Sequence, residues 1–352
     1  MPAQTGDPPI PAVLLCGPTA SGKTGILEEL FADPRRSGPL GAASPSGAVS
    51  AAYPAEIVSA DSMQVYRGMD IGTAKPPPEL RAALRHHLID IRDPREQFNA
   101  GEFVRLADQA CVDIARRGRF PVISGGTGFY LSSFILGLSG APPSDPAIRR
   151  DLREERRSRG IEALAEELAR CDPESARRIH IHDEYRLLRA LEVYRTAGRP
   201  LSSYPRPGTA GAAEDGNTRR SGGEGRPRYR FLILFLDRPR EEVYRRINGR
   251  CAEMFRRGLP GEVRRLHAAG YSPDDPGMRA IGYREFFTGE TGAWRISEDS
   301  AAVEALVAQN SRRYAKRQLA YFASMPGIKR IPAAEHPAGL IRRELDLFLA
   351  PA

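Results

Sequence analysis

The sequence predicts an α/β fold: a parallel sheet core carrying an inserted all-helical subdomain. Three observations lead there. Short apolar runs at 12–16, 56–59 and 120–124 alternate with helical stretches, and each ends in a polar or glycine-rich loop. The first run leads directly into G-x-x-x-x-G-K-[ST] and then a helix. From Pro142 to about Ala197 the texture is helical, charged and free of strand-like runs.

Taken in order, Ala12-Val13-Leu14-Leu15-Cys16 reads as a buried strand, followed by a helix from Lys23 to about Phe31. Residues 34 to 52, rich in Pro, Gly, Ser and Ala, read as a mobile loop. Glu56 to Ser59 is a second strand, running into Ala60-Asp61-Ser62, and His87 to Ile91 a third. Gly101 to Arg117 reads as a helix, and Phe120 to Ser124 as a fourth strand ending at Gly125-Gly126-Thr127-Gly128. Ligands of parallel sheets bind at the carboxyl ends of the strands, so these loops should converge on one site. Asp145 can cap a helix with Pro146 at its first position. Residues 202 to 228 read as a flexible linker. Arg230 to Leu236 returns to buried-strand character, Pro239 to Arg257 reads as a basic helix, and helix is expected beyond it. The expected division is a first core part at 1–143, a helical insertion at 144–201, a linker at 202–228 and a second core part at 229–352.

Bulk properties bound the class. The 352 residues, 41% apolar and 27% charged, suffice for a real core. A net charge of +8 fits a polyanionic partner, but arginine dominates the basic residues, so the placement of charge matters more than its total. Cys16, Cys111, Cys171 and Cys251 form neither a zinc pair nor a secreted-type framework. Met1 to Pro11 does not read as a signal peptide, and no apolar run approaches membrane-spanning length. The expectation is a cytoplasmic monomer with no membrane partner.

Gly17-Pro18-Thr19-Ala20-Ser21-Gly22-Lys23-Thr24 fits the phosphate-loop pattern without departure, which makes the sheet P-loop NTPase-like. Glycines let successive amides point at one anion, and the following helix adds its positive end. Lys23 contributes a point charge to the terminal phosphate, and Thr24 offers a hydroxyl to Mg²⁺. Kinases, ATPases and diphosphate-using transferases could all use such a loop. Asp61, after the second strand, should sit across the crevice, where its carboxylate could bind Mg²⁺ or accept a proton; capping a local turn is the alternative.

Beyond these two elements the chain resembles the tRNA dimethylallyltransferase family. The resemblance rests on 17–24, on Ser59-Ala60-Asp61-Ser62-Met63-Gln64-Val65-Tyr66, and on Asp70-Ile71-Gly72-Thr73-Ala74-Lys75-Pro76. His86-His87-Leu88-Ile89-Asp90, Gly125 to Tyr130, Arg186 to Val193 and Met278 to Tyr283 follow in the family's order, as does the basic helix near Arg312. The match spans roughly residues 12 to 330. The absence of a cysteine/histidine zinc module points to the bacterial type.

The resemblance implies transfer of a dimethylallyl group from dimethylallyl diphosphate to N6 of the adenine immediately 3′ of the anticodon, position 37. It implies that 17–24 hold the donor diphosphate, with Thr19 helping to position it. By the same resemblance Asp61 is the general base, Arg250 binds the diphosphate, and Thr127 lines the channel for a flipped adenine. Contacts to the tRNA anticodon stem-loop are implied for Asp61, Ser62, Met63, Gln64, Thr127, Arg149, Tyr185, Arg186, Leu187, Leu188 and Arg189. The family usually has Gln where this chain has Tyr185.

The residues themselves add a basic stripe. Arg312, Arg313, Lys316 and Arg317 recur at helical spacing, and no acid interrupts 312–330. Such a face suits nucleic-acid phosphates and would give affinity rather than base choice. A small-molecule kinase, a prenyltransferase for free adenine nucleotides and a non-catalytic RNA-binding protein remain as rivals.

Overall fold

The computed structural model describes residues 8–32, 54–205, 218–220, 227–333 and 336–350. The chain divides into two units, 1–135 with 213–352, and 136–212.

The first unit is built on β1 (Ile10–Cys16), whose last five residues are buried. Burial on both faces is what a continuous apolar run requires of a central parallel strand. The phosphate loop follows, then α1 (Lys23–Phe31). Next come β2 (Ala55–Ser59), α2 (Pro78–Ala83), β3 (His86–His87), α3 (Ala100–Arg116), β4 (Phe120–Gly125) and α4 (Gly128–Leu136). Asn99 caps α3, its side chain accepting from the Glu102 amide.

In the second unit α5 (Pro146–Cys171) starts with Asp145 accepting from the Ala147 and Ile148 amides and is interrupted at Gly160. It is followed by α6 (Pro173–Arg178) and α7 (Glu184–Ala197). Leu152, Leu164, Leu168, Leu187, Leu188 and Leu191 form its core.

Back in the first unit, β5 (Thr218–Arg220) precedes β6 (Pro227–Asp237), α8 (Arg240–Arg256) and α9 (Leu259–Ala268). A hairpin of β7 (Phe287–Thr288) and β8 (Arg295–Ile296) leads to α10 (Ser300–Ala323), β9 (Ile328–Pro332) and α11 (Pro337–Leu349). The seven-stranded sheet runs β3-β2-β4-β1-β6-β5, with β9 also on β6. Every pairing is parallel except β5 with β6. Strands β2, β4 and β1 are neighbours, so Asp61, Gly125–Gly128 and the phosphate loop leave one edge of the sheet side by side.

Three expectations need correction. The third strand stops at His87, because Leu88 and Asp90 adopt positive φ of 64° and 58°. The apolar run is overridden by charge: the Lys75 ammonium bonds to Asp90, to Asp70 at 2.7 Å and to the Tyr66 carbonyl at 2.6 Å, while Arg81 holds the other Asp90 oxygen at 2.8 Å. The 202–228 segment is not linker throughout, since it contributes β5 to the sheet. The C-terminal stretch is not purely helical either, since β9 joins it in parallel with Ile233–Asp237. The 34–52 segment, expected as a loop, lies outside the described residues.

Candidate active site

The phosphate loop carries its anion-binding capacity in its backbone. Lys23 opens α1, Gly22 precedes it at φ +102°, and no side chain caps the helix. The first-turn amides are therefore left for a ligand, at the positive end of the helix. Lys23 Nζ donates to the carbonyls of Gly17 and Pro18, both at 2.9 Å, so the ammonium is folded over its own loop. Burial, and then the Arg250 charge, lower its pKa from 10.5 to about 8, against the opposing pull of Asp61. Burial also holds Arg250 below its ordinary value.

The loop and Asp61 share one cavity of about 460 Å³. Thr19 to Thr24 form one wall, Asp61 to Gln64 another, and α8 and α10 contribute Arg250 and Tyr314. Lys23, Arg246, Arg250, Arg279 and Arg317 line it against the single carboxylate of Asp61 among the described residues. Such a space favours a polyanion.

Asp61 does both things weighed for it. Its Oδ1 accepts from the amides of Met63 at 2.9 Å and Gln64 at 3.4 Å, which is the capping role. No described residue donates to Oδ2, which leaves an oxygen for a substrate proton. Gln64 accepts from Ser59 Oγ and donates to the carbonyls of Thr73 and Ala74, pinning the opposite wall.

Thr127 links the second and fourth strand ends. Its Oγ1 accepts from the Ser62 amide at 3.1 Å, and its amide donates to the Ala60 carbonyl at 3.2 Å. A Cβ on Gly125 would stand 2.2 Å from that carbonyl, so this approach requires glycine. Tyr314 lies close to Thr127 and Gln318; burial, then the Asp61 charge, push its phenol up to about 12.

Among the described residues no group of three His, Cys, Asp or Glu could cage a metal. Thr24 and Asp61 offer one hydroxyl and one carboxylate oxygen beside the phosphate cradle. That sparse oxygen set fits Mg²⁺, which keeps several waters and is commonly held by one or two carboxylates together with substrate phosphates.

Residues 64–325 match the family model described as IPP transferase. The chain belongs to the IPP transferase family. Among its relatives, tRNA dimethylallyltransferase of Geobacter sulfurreducens is 41% identical over 326 residues, covering 93% of this chain and 92% of the relative. That of Halorhodospira halophila is 40% identical over 317 residues, covering 88% and 89%. The tRNA isopentenylpyrophosphate transferase structure from Bacillus halodurans superposes with a TM-score of 0.59 at 29% identity, covering 96% of both chains. The corresponding Staphylococcus epidermidis structure gives 0.59 at 31%, covering 96% and 98%.

In this IPP transferase family member, Thr19, Ala20, Ser21, Gly22, Lys23, Thr24, Asp61, Ser62, Met63, Gln64 and Arg250 line the cavity, with Arg317 from the basic stripe. Thr127 adjoins it through Ser62. Arg313 and Lys316 face solvent, while Arg312 donates to Asn248 at 2.6 Å.

Within the helical unit the RNA-contact candidates separate. Tyr185 is 68% exposed, with the Arg149 guanidinium 4.6 Å from its ring centre. Arg186 is exposed and pairs with Asp183 at 2.6 Å. Arg189 pairs with the buried Glu192 at 3.0 Å. Leu187 and Leu188 are the exceptions: both are buried in the core of this unit, so their side chains support α7 instead of reaching a ligand.

Sequence reasoning missed Arg238, Arg246, Glu262 and Gln318. The buried Glu262 carboxylate accepts from the amides of Asp70, Ile71 and Gly72 and from the Tyr283 hydroxyl, holding the 70–74 wall in place. Nothing local marks it out, since it lies on a helix among other charged residues.

Proposed function

We propose that this chain transfers a dimethylallyl group from dimethylallyl diphosphate to N6 of the adenine immediately 3′ of the anticodon, position 37, in tRNA, releasing diphosphate. The observation that carries this reading is the shared cavity: an amide-lined cradle with Lys23 and Arg250 opens into the same space as the unbonded oxygen of Asp61. The cradle holds the diphosphate of the donor. The C1–O bond breaks, the electron pair leaves with diphosphate, and N6 bonds to C1. Asp61 takes the N6 proton, as a poor amine nucleophile requires. Lys23 and Arg250 stabilise the charge growing on the leaving group. The Thr24 hydroxyl would help to hold Mg²⁺, which when bound would neutralise part of that charge. Access to N6 requires the base to leave its stack, and the Thr127 loop borders its path. Arg313, Lys316 and Arg317 supply phosphate contacts, and Tyr185, its ring packed on the Arg149 guanidinium, is exposed for RNA. We propose a cytoplasmic monomer; none of the described helices is long and apolar enough to cross a membrane.

The test is to incubate the chain with labelled dimethylallyl diphosphate, Mg²⁺ and unmodified tRNA, with ATP and AMP also present, then digest the RNA. Label in prenyladenosine supports the reading. ATP consumption without prenylation, or label on free AMP, overturns it in favour of a kinase or a nucleotide prenyltransferase.

A further inference from the structure

One buried amide side chain on α10 holds both loops of the site. Gln318 is 4% exposed. Its Oε1 accepts from the Thr19 amide of the phosphate loop at 2.9 Å, and its Nε2 donates to the Gly126 carbonyl at 2.7 Å. Thr19 and Gly126 follow the neighbouring strands β1 and β4, and no backbone hydrogen bond between their loops is seen among the described residues. Gly126 precedes Thr127, whose Oγ1 receives the Ser62 amide. One turn earlier on α10, Tyr314 lies close to Thr127 and to Gln318 itself.

The bond to Thr19 has a second meaning. In a phosphate loop the backbone amides usually point at the anion. Here the Thr19 amide is committed to Gln318, which fixes how the start of the loop is presented. The cradle sets where the leaving diphosphate sits, and the Gly126–Thr127 segment borders the acceptor path. A group transfer between two bound partners depends on their relative placement to within an ångström. Among the described residues, Gln318 alone hydrogen-bonds to both loops through its side chain.

We propose that Gln318 is a positioning residue of the transfer reaction, a spacer that fixes the donor cradle relative to the acceptor loop. The inference rests on the prenyl-transfer reading above. Gly126 supplies an independent way to break the spacer: a Cβ there would lie 2.3 Å from Gln318 Nε2, the far end of a flexible side chain, and 3.6 Å from its next neighbours. Alanine at 126 therefore displaces the amide while leaving residue 318 in place.

The experiment measures steady-state transfer, the fate of consumed donor and thermal unfolding for Gln318→Ala, Gly126→Ala and the double variant. Each single change is expected to lower kcat on the order of 10–100-fold. A larger share of consumed donor should appear as dimethylallyl alcohol, because water then competes with N6 for C1 and loses a proton as diphosphate departs. The double variant should be no worse than the poorer single one, because both break the same contact. A fall in unfolding temperature alone, with kcat per folded molecule and the alcohol share unchanged, overturns the proposal. So does an additive double variant. Absence of transfer by the unaltered chain is a failure of the underlying function, seen without any variant.

Discussion

Arg246 donates through Nε to the carbonyl of Ala20 at 2.8 Å, and Ala20 is a non-glycine residue at φ +62°. Arg238 does the same for the Ser21 carbonyl, also at 2.8 Å. Two consecutive carbonyls of the phosphate loop are thus held by guanidiniums that follow β6 in the chain. A left-handed alanine costs about 1–2 kcal/mol, and the arginine bond offsets this in place. The loop is shaped before any anion arrives. Arg246→Lys keeps the charge but loses the planar Nε–H donor. Binding of Mg²⁺-diphosphate, followed by calorimetry, should weaken about tenfold, the size of one charge-assisted hydrogen bond. An unchanged affinity would mean that the loop holds its shape without the clamp.

Asp61 stands opposite these cations, and this fixes the sign of a second prediction. Its charge acts favourably on Lys23 and Arg250 and so competes with an incoming anion. Asp61→Asn should leave binding of metal-free diphosphate equal or tighter, while kcat for transfer falls by about 100-fold or more through loss of the proton acceptor. Single-turnover transfer beside equilibrium binding separates the two effects. Full turnover by this variant would remove Asp61 from the base role.

Lys23 gives the site a pH dependence. Burial and Arg250 depress its pKa to about 8, so the ligand-free chain releases this proton above that pH. Diphosphate then has to bring the proton back, and each further pH unit weakens this contribution by up to tenfold. The affinity ratio of the native chain to Lys23→Gln should therefore be largest near pH 7 and shrink toward pH 9.5. Conformational stability moves the other way. Between about 8 and the ordinary lysine value the unfolded chain binds the proton that the folded chain has lost, so the ligand-free protein gains stability as pH rises. Diphosphate titrations of both proteins at several pH values test the first trend; a constant ratio would show that Lys23 does not change charge in this range.

These three predictions draw on residues that differ in how plainly the sequence reveals them. The 17–24 loop, Asp61 and Gly125–Thr127 are legible because each directly follows a buried strand, and adjacent parallel strands deliver their loops to one edge. Arg238, Arg246 and Gln318 act through contacts more than 190 residues away in the chain, so no local spacing marks them. Strand β9 was hidden for a related reason. Ile328-Lys329-Arg330-Ile331-Pro332 is short and carries two adjacent charges, and its identity comes from pairing with β6. His87–Ile91 misled in the opposite direction, since its apolar pattern suits a strand while the Lys75–Asp90 contact bends it out of the sheet. Leu187 and Leu188 illustrate the limit of a motif: a segment can match a ligand-binding stretch while every third or fourth side chain turns into the core.

The outer face of α10 offers the last test. Lys316 is exposed, no described acid pairs with it, and none occurs from 312 to 330. On the same helix Tyr314 and Gln318 face inward to the cavity. A phosphate contact at Lys316 would contribute affinity and salt dependence without touching the donor cradle. Lys316→Glu should weaken tRNA binding and lower the slope of log affinity against log salt by about 1, while the KM for dimethylallyl diphosphate stays within twofold. Filter binding across a salt series gives the slope, and transfer kinetics give the KM. Equal losses for tRNA and donor would place the damage in the helix itself, because a solvated phosphate contact cannot change how a diphosphate is held on the opposite side of α10.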